Sequence, residues 1–122
     1  MLRNKIHRYL KHGTFTQLSV FEAVARLGSF TRAAAELHMA QPTVSVQIRK
    51  LGETVGLPLF ERAGRSIRLT DAGHLLVDAC REIFATLSRV EDSCLQLRAH
   101  DIRLRTAREA NVGRLTLDAQ GK

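Results

Sequence analysis

AAAELHMAQPTVSVQIRKLGETVGLPLFER occupies residues 33–62, and the architecture of the chain can be built outward from it. It reads as the end of a short helix, a turn, and a longer helix opened by Gln41-Pro42. Proline at the start of a helix loses no hydrogen bond and presets the backbone angle. From there Val44, Ile48, Leu51 and Val55 recur at spacings of four, three and four, a narrow apolar stripe for packing on a domain. At 100° per residue the opposite face carries Pro42, Ser45, Val46, Arg49 and Lys50, with Thr43 and Gln47 on its flank. That face is short, hydrogen-bonding and basic, and it has no carboxylate. A helix seated in a DNA major groove needs such a face.

Charge points the same way. The 122 residues carry a net charge of +7. Residues 1–70 hold eleven Lys/Arg against four Asp/Glu, whereas residues 71–122 hold eight of each. The excess therefore belongs to the half with the candidate groove-reading helix, which favours a polyanionic partner over a merely solvated surface. Cys80 and Cys94 fall on one predicted helix, roughly 21 Å apart, too far to bridge within it. No Cys/His spacing suits zinc, so neither metal nor cofactor is expected. Without an apolar run of membrane-spanning length or a leader-like apolar segment, no membrane role is expected, and a reducing cytoplasm is the expected compartment.

Residues 1–14 form a basic extension in which Leu2, Ile6, Tyr9 and Leu10 sit at helical spacing. Its alternatives are a frayed terminus and an arm touching phosphate or the minor groove. Thr16 is the expected cap of a first helix over residues 17–27, with Leu18, Phe21, Val24 and Ala25 buried and Gly28 as its stop. Ser29 or Thr31 caps a second helix ending near Leu37, with a core of Ala33, Ala34, Ala35 and Leu37 that permits close helix approach. His38 to Ala40 make the turn into the third helix, residues 42–55, which Gly56 ends. Leu59–Arg62 and Ser66–Leu69 read as two short strands turned by Ala63-Gly64-Arg65. Arg62, Arg65 and Arg68 would lie on or beside the tip of that wing, where an arginine can enter a narrow A·T minor groove.

Thr70 is the expected cap of a long helix over residues 71–98, with Asp71 in its first turn. Leu76, Cys80, Ile83, Leu87, Val90, Cys94 and Leu97 step 4-3-4-3-4-3 along it, the seam of a helix-on-helix contact. A second copy of the chain is the simplest partner, which makes both cysteines seam residues. Beyond residue 98, Asn111-Val112-Gly113 reads as a break and Arg114–Leu117 as a strand with nothing to pair it. Residues 99–122 are thus expected to be a tail, with 111–122 the disordered, severed start of a further domain. The fold class is mainly α: a winged helix-turn-helix over residues 15–70, a small β-hairpin wing, and a dimerisation helix.

The run SFTRAAAELHMAQPTVSVQIRKLGETVGLPLFER followed by SIRLTDAG closely resembles the N-terminal domain of LysR-type transcriptional regulators over residues 15–98. The resemblance implies a winged helix-turn-helix, a linker helix paired antiparallel in a dimer, and binding to double-stranded promoter DNA at an interrupted palindrome. It implies base and backbone contacts at Gln41, Pro42, Thr43, Ser45, Val46 and Arg49, a wing contact at Arg65, and phosphate contacts near Ser29, Thr31 and Arg32. Lys50, Arg62 and Arg68 join the phosphate set by charge and position. Full-length members add an effector-binding domain with a periplasmic-binding-protein fold, which these residues are not expected to contain, and often form tetramers; RNA polymerase is a further candidate partner. Three features depart from the pattern. Gly52 stands where glutamate is usual, Val46 where a polar or basic side chain is common, and the extension through His12 is longer than typical.

Other classes predict different behaviour. An architectural binder driven by charge would show steep salt dependence and almost no sequence preference. An interaction protein that pairs through residues 71–98 with a full-length relative would tolerate loss of Gln41 and Arg65. An enzyme is not expected, since no acid/base pair, metal cluster or phosphate loop converges.

Overall fold

The computed structural model describes residues 6–120. A 3-10 turn at His7–Tyr9 precedes α1 (Thr14–Leu27), α2 (Phe30–Leu37), α3 (Gln41–Val55), β1 (Phe60–Ala63), β2 (Ser66–Leu69) and α4 (Asp71–Gln120). Leu2, Arg3 and Lys5 of the basic extension lie outside the described residues. Two compact units divide at Ile83 and Phe84.

α1 begins two residues before the expected cap. Gly13 enters it in the left-handed region (φ 90°), and the Gln17 amide donates to the Gly13 carbonyl at 3.0 Å, so Thr16 lies inside the helix and caps nothing. Its buried face is wider than one stripe: Val20 and Ala23 join Leu18, Phe21 and Val24 in the core, because α1 packs against both α2 and α3. Between Ser29 and Thr31, the cap is Ser29, whose Oγ accepts from the Arg32 amide at 3.1 Å. Ala33 and Ala34 are buried, but Ala35 faces outward. Arg26 donates to Glu22 on its own helix and ties α1 to α2 by donating to Glu36, and this second hydrogen bond holds the Glu36 carboxyl below its ordinary range.

His38 closes α2 in the left-handed region (φ 54°), and the Met39 amide reaches back to the Ala34 carbonyl at 2.9 Å. Extended Ala40 then starts α3, one residue earlier than expected, so Pro42 takes its second position. Val44, Ile48 and Leu51 are buried, Val55 is half-buried, and Gly56 (φ 87°) ends the helix.

The hairpin pairs Phe60 with Leu69, Glu61 with Arg68, Arg62 with Ile67 and Ala63 with Ser66. Its loop is therefore two residues, Gly64-Arg65, one fewer than the sequence suggests. Leu59 is not a strand residue but a core one, 2% exposed. The Phe60 ring lies 5.4 Å from that of Phe21 and 5.8 Å from that of Phe30, which fastens the wing base to α1 and α2.

Thr70 joins the wing to α4. Its hydroxyl donates to the Pro58 carbonyl at 2.6 Å and accepts from the Gly73 amide at 3.0 Å. A Cβ on Gly73 would stand 2.2 Å from the Leu59 carbonyl oxygen, so the helix start can approach Leu59, just before the wing, only with glycine there. Val77 and Cys80 complete the core, and burial pushes the Cys80 thiol up to about 11. Cys80 is thus not a seam residue open to a second chain: its own domain covers it. The rest of the heptad stripe differs, with Leu76 half-buried and Ile83, Leu87, Val90, Cys94 and Leu97 exposed.

The expected break at Asn111–Gly113 and the strand at Arg114–Leu117 do not form; α4 runs through them to Gln120. Residues 99–110 are rich in Ala and Arg, which favour helix, and Arg105 pairs with Asp101 at 3.1 Å. One glycine costs about 1 kcal/mol relative to alanine, too little to stop such a run when a strand has no partner. No helix among the described residues is long and apolar enough to cross a membrane.

Candidate nucleic-acid interface

α3 presents the expected face. Gln41, Pro42, Thr43, Ser45, Arg49 and Lys50 are exposed, while Val46 and Gln47 are half-buried on its margin. Burial of Val44, Ile48 and Leu51 fixes this rotation about the helix axis. The Thr31 hydroxyl approaches Gln41 Oε1 at 3.5 Å, and this places the start of α2 beside the start of α3. Gln41 then keeps its amide NH2 to donate elsewhere. Arg49 reaches Glu53 only at 4.0 Å with both side chains well exposed, a pairing too weak to remove it from the surface charge.

The residues around α3 divide by what already occupies them. Ser29 spends its hydroxyl on the α2 cap. Thr31 and Arg32 are exposed, and Arg32 makes no ion pair among the described residues. On the wing, Arg62 and Arg65 are exposed and equally unpaired, and both line an open groove with Phe30, Phe60 and Ile67. Arg68 differs: its Nε lies 2.8 Å from Glu61 Oε1 across the hairpin. Sequence reasoning grouped Arg68 with the free wing arginines because it allowed the loop one residue too many. With two loop residues, Glu61 falls directly opposite Arg68.

The basic extension, which the sequence leaves open between a frayed terminus and an arm touching phosphate or the minor groove, approaches α3. Arg8 Nη1 donates to the Thr54 carbonyl at 3.5 Å, at the C-terminal end of α3. Lys11 lines a shallow groove with Gln17, Lys50, Glu53 and Thr54. The sequence shows the charge of this segment but not its seat at the end of α3, which depends on how α1 packs.

A family model for bacterial regulatory helix-turn-helix proteins of the lysR family matches residues 15–74. The solved CbnR DBD–DNA complex contains a chain 40% identical to this one, with a TM-score of 0.59; the likeness covers 64% of this chain and 90% of that one. The chain belongs to the LysR family. It carries a LysR-type winged helix-turn-helix DNA-binding domain. Among curated LysR-family relatives, the HTH-type transcriptional activator CmpR of Synechocystis sp. is 46% identical over 83 residues, which are 68% of this chain and 27% of CmpR. A RuBisCO operon transcriptional regulator of Acidithiobacillus ferrooxidans is 50% identical over 78 residues, 64% of this chain and 25% of that regulator. The chain thus spans about a quarter of the length of the curated relatives it matches.

Proposed function

We propose that this chain acts in transcription regulation by sequence-specific binding to double-stranded DNA, with α3 in the major groove. The carboxylate-free start of α3 carries this reading: Gln41, Thr43 and Ser45 stand exposed together, backed by a packed apolar face. These short polar side chains suit base edges, and the half-buried Val46 suits a thymine methyl. Arg49, Lys50, Thr31 and Arg32 hold flanking phosphates, which set register without reading sequence. Arg65 enters the minor groove from the wing tip, with Arg62 on the adjoining backbone. The exposed stripe from Ile83 to Leu97 pairs with that of a second copy, so that two reader helices address the halves of an interrupted palindrome. The CbnR DBD–DNA complex and the regulators among the curated relatives support this reading.

The excess charge of residues 1–70 favours a second reading, non-specific binding driven by phosphate neutralisation. Fluorescence anisotropy separates the two. The best duplex from a genomic-fragment pool is titrated beside scrambled DNA across a salt series. Specific reading predicts at least about a thousandfold preference at physiological salt. Equal affinities that collapse together with salt would leave only the charge.

A further inference from the structure

We infer that the basic extension before α1 is a second phosphate clamp, which carries the DNA-facing charge of α3 past the end of that helix. The inference rests on the proposed DNA-binding function and assigns residues that this function leaves unused. Arg8 lies at the end of α3: its guanidinium reaches the Thr54 carbonyl at 3.5 Å. The C-terminal end of a helix is a natural seat for a cation. That one contact uses one of the five N–H donors of the guanidinium and leaves the others for an anion. Lys11 shares a groove with Lys50, which already belongs to the outward face of α3. Arg8, Lys11 and Lys50 are all exposed, and none makes an ion pair among the described residues. Glu53 is the one carboxylate lining that groove, and Arg49 lies 4.0 Å from it. The result is a basic strip running from α3 onto the extension.

A DNA backbone fits such a strip better than base edges do. Lys11 is a compact point charge on a flexible stem, and Arg8 lies within reach of the α3 end. These contacts should raise affinity for every duplex alike and steepen its salt dependence.

The test compares the wild-type chain with Lys11→Gln and with the Arg8→Gln/Lys11→Gln pair, on the selected duplex and on scrambled DNA between 50 and 200 mM salt. Each phosphate contact contributes about 0.9 to the slope of log K against log salt. Over that fourfold rise in salt, each cation removed should therefore shrink the loss of affinity by about threefold. The expected result is a slope lower by about one for the single variant and by about two for the pair. The preference for the selected duplex should stay as in wild type. An unchanged slope overturns the clamp, including the case in which the Arg8→Gln/Lys11→Gln pair lowers the melting temperature alone and so acts only on the α3 end. A loss confined to the selected duplex also overturns it, since the extension would then read sequence. Failure of the wild-type chain to bind either duplex would instead sink the proposed function itself.

Discussion

At the scale of single residues, the site is set by which side chains are already occupied. Arg65 and Arg68 sit three apart on one hairpin, yet only Arg68 is held by a carboxylate, Glu61 at 2.8 Å. Arg65→Ala should therefore weaken binding most where A·T tracts flank the site, whereas Arg68→Ala should leave that dependence intact. Binding to duplexes with exchanged flanks decides it, and flank-independent loss from Arg65→Ala rules out minor-groove entry. Gln41 keeps its amide NH2 while its Oε1 faces Thr31. Gln41→Ala should lower discrimination between base pairs at one position by roughly 1–3 kcal/mol. Equal loss on all sequences would place Gln41 on the backbone instead. Gly73 is decided by space rather than chemistry. Gly73→Ala forces a Cβ to 2.2 Å from the Leu59 carbonyl oxygen, so the wing and α4 must separate. Overpacking of this kind costs typically about 1–3 kcal/mol. Chemical denaturation should show that loss, and wild-type stability would mean the junction yields freely.

At the scale of elements, legibility tracked local signals. The start of α3 could be read because Gln41-Pro42, a clean apolar stripe and Gly56 agree with one another. The start of α1 could not, since Gly13 enters it without a side-chain cap and Thr16 offered a plausible false one. Val20 and Ala23 were missed because a single-stripe pattern assumes one packing partner, and α1 has two. The heptad repeat of α4 was visible but mixed two environments. Its first turns pack on their own domain through Val77 and Cys80, and the exposed stripe follows. That division gives a sharp expectation for the element. Leu87, half exposed, lies within the stripe and outside the core. Leu87→Asp should turn a sedimenting dimer into a monomer while the melting behaviour of the DNA-binding domain stays close to wild type. A dimer mass that survives the substitution would move the contact elsewhere.

At the scale of the whole molecule, one helix-turn-helix addresses only a few base pairs, and the strength of regulation comes from joining two. Paired α4 helices would make binding at the second half-site an intramolecular event, worth about 10²–10⁴ in affinity without any new contact. The gain exists only where both reader helices can engage at once. An interrupted palindrome meets that condition at a fixed separation, counted in helical turns of roughly 10 base pairs. Five added base pairs between the half-sites turn one of them to the opposite face of the duplex, although every contacted base remains present. Affinity for the altered duplex should then fall to that of a single half-site. Leu87→Asp, already lacking the partner, should bind the native and altered duplexes alike. If wild type tolerates the half-turn insertion, the two domains are not held as a unit, and the apolar stripe of α4 serves a contact other than the pairing of half-sites.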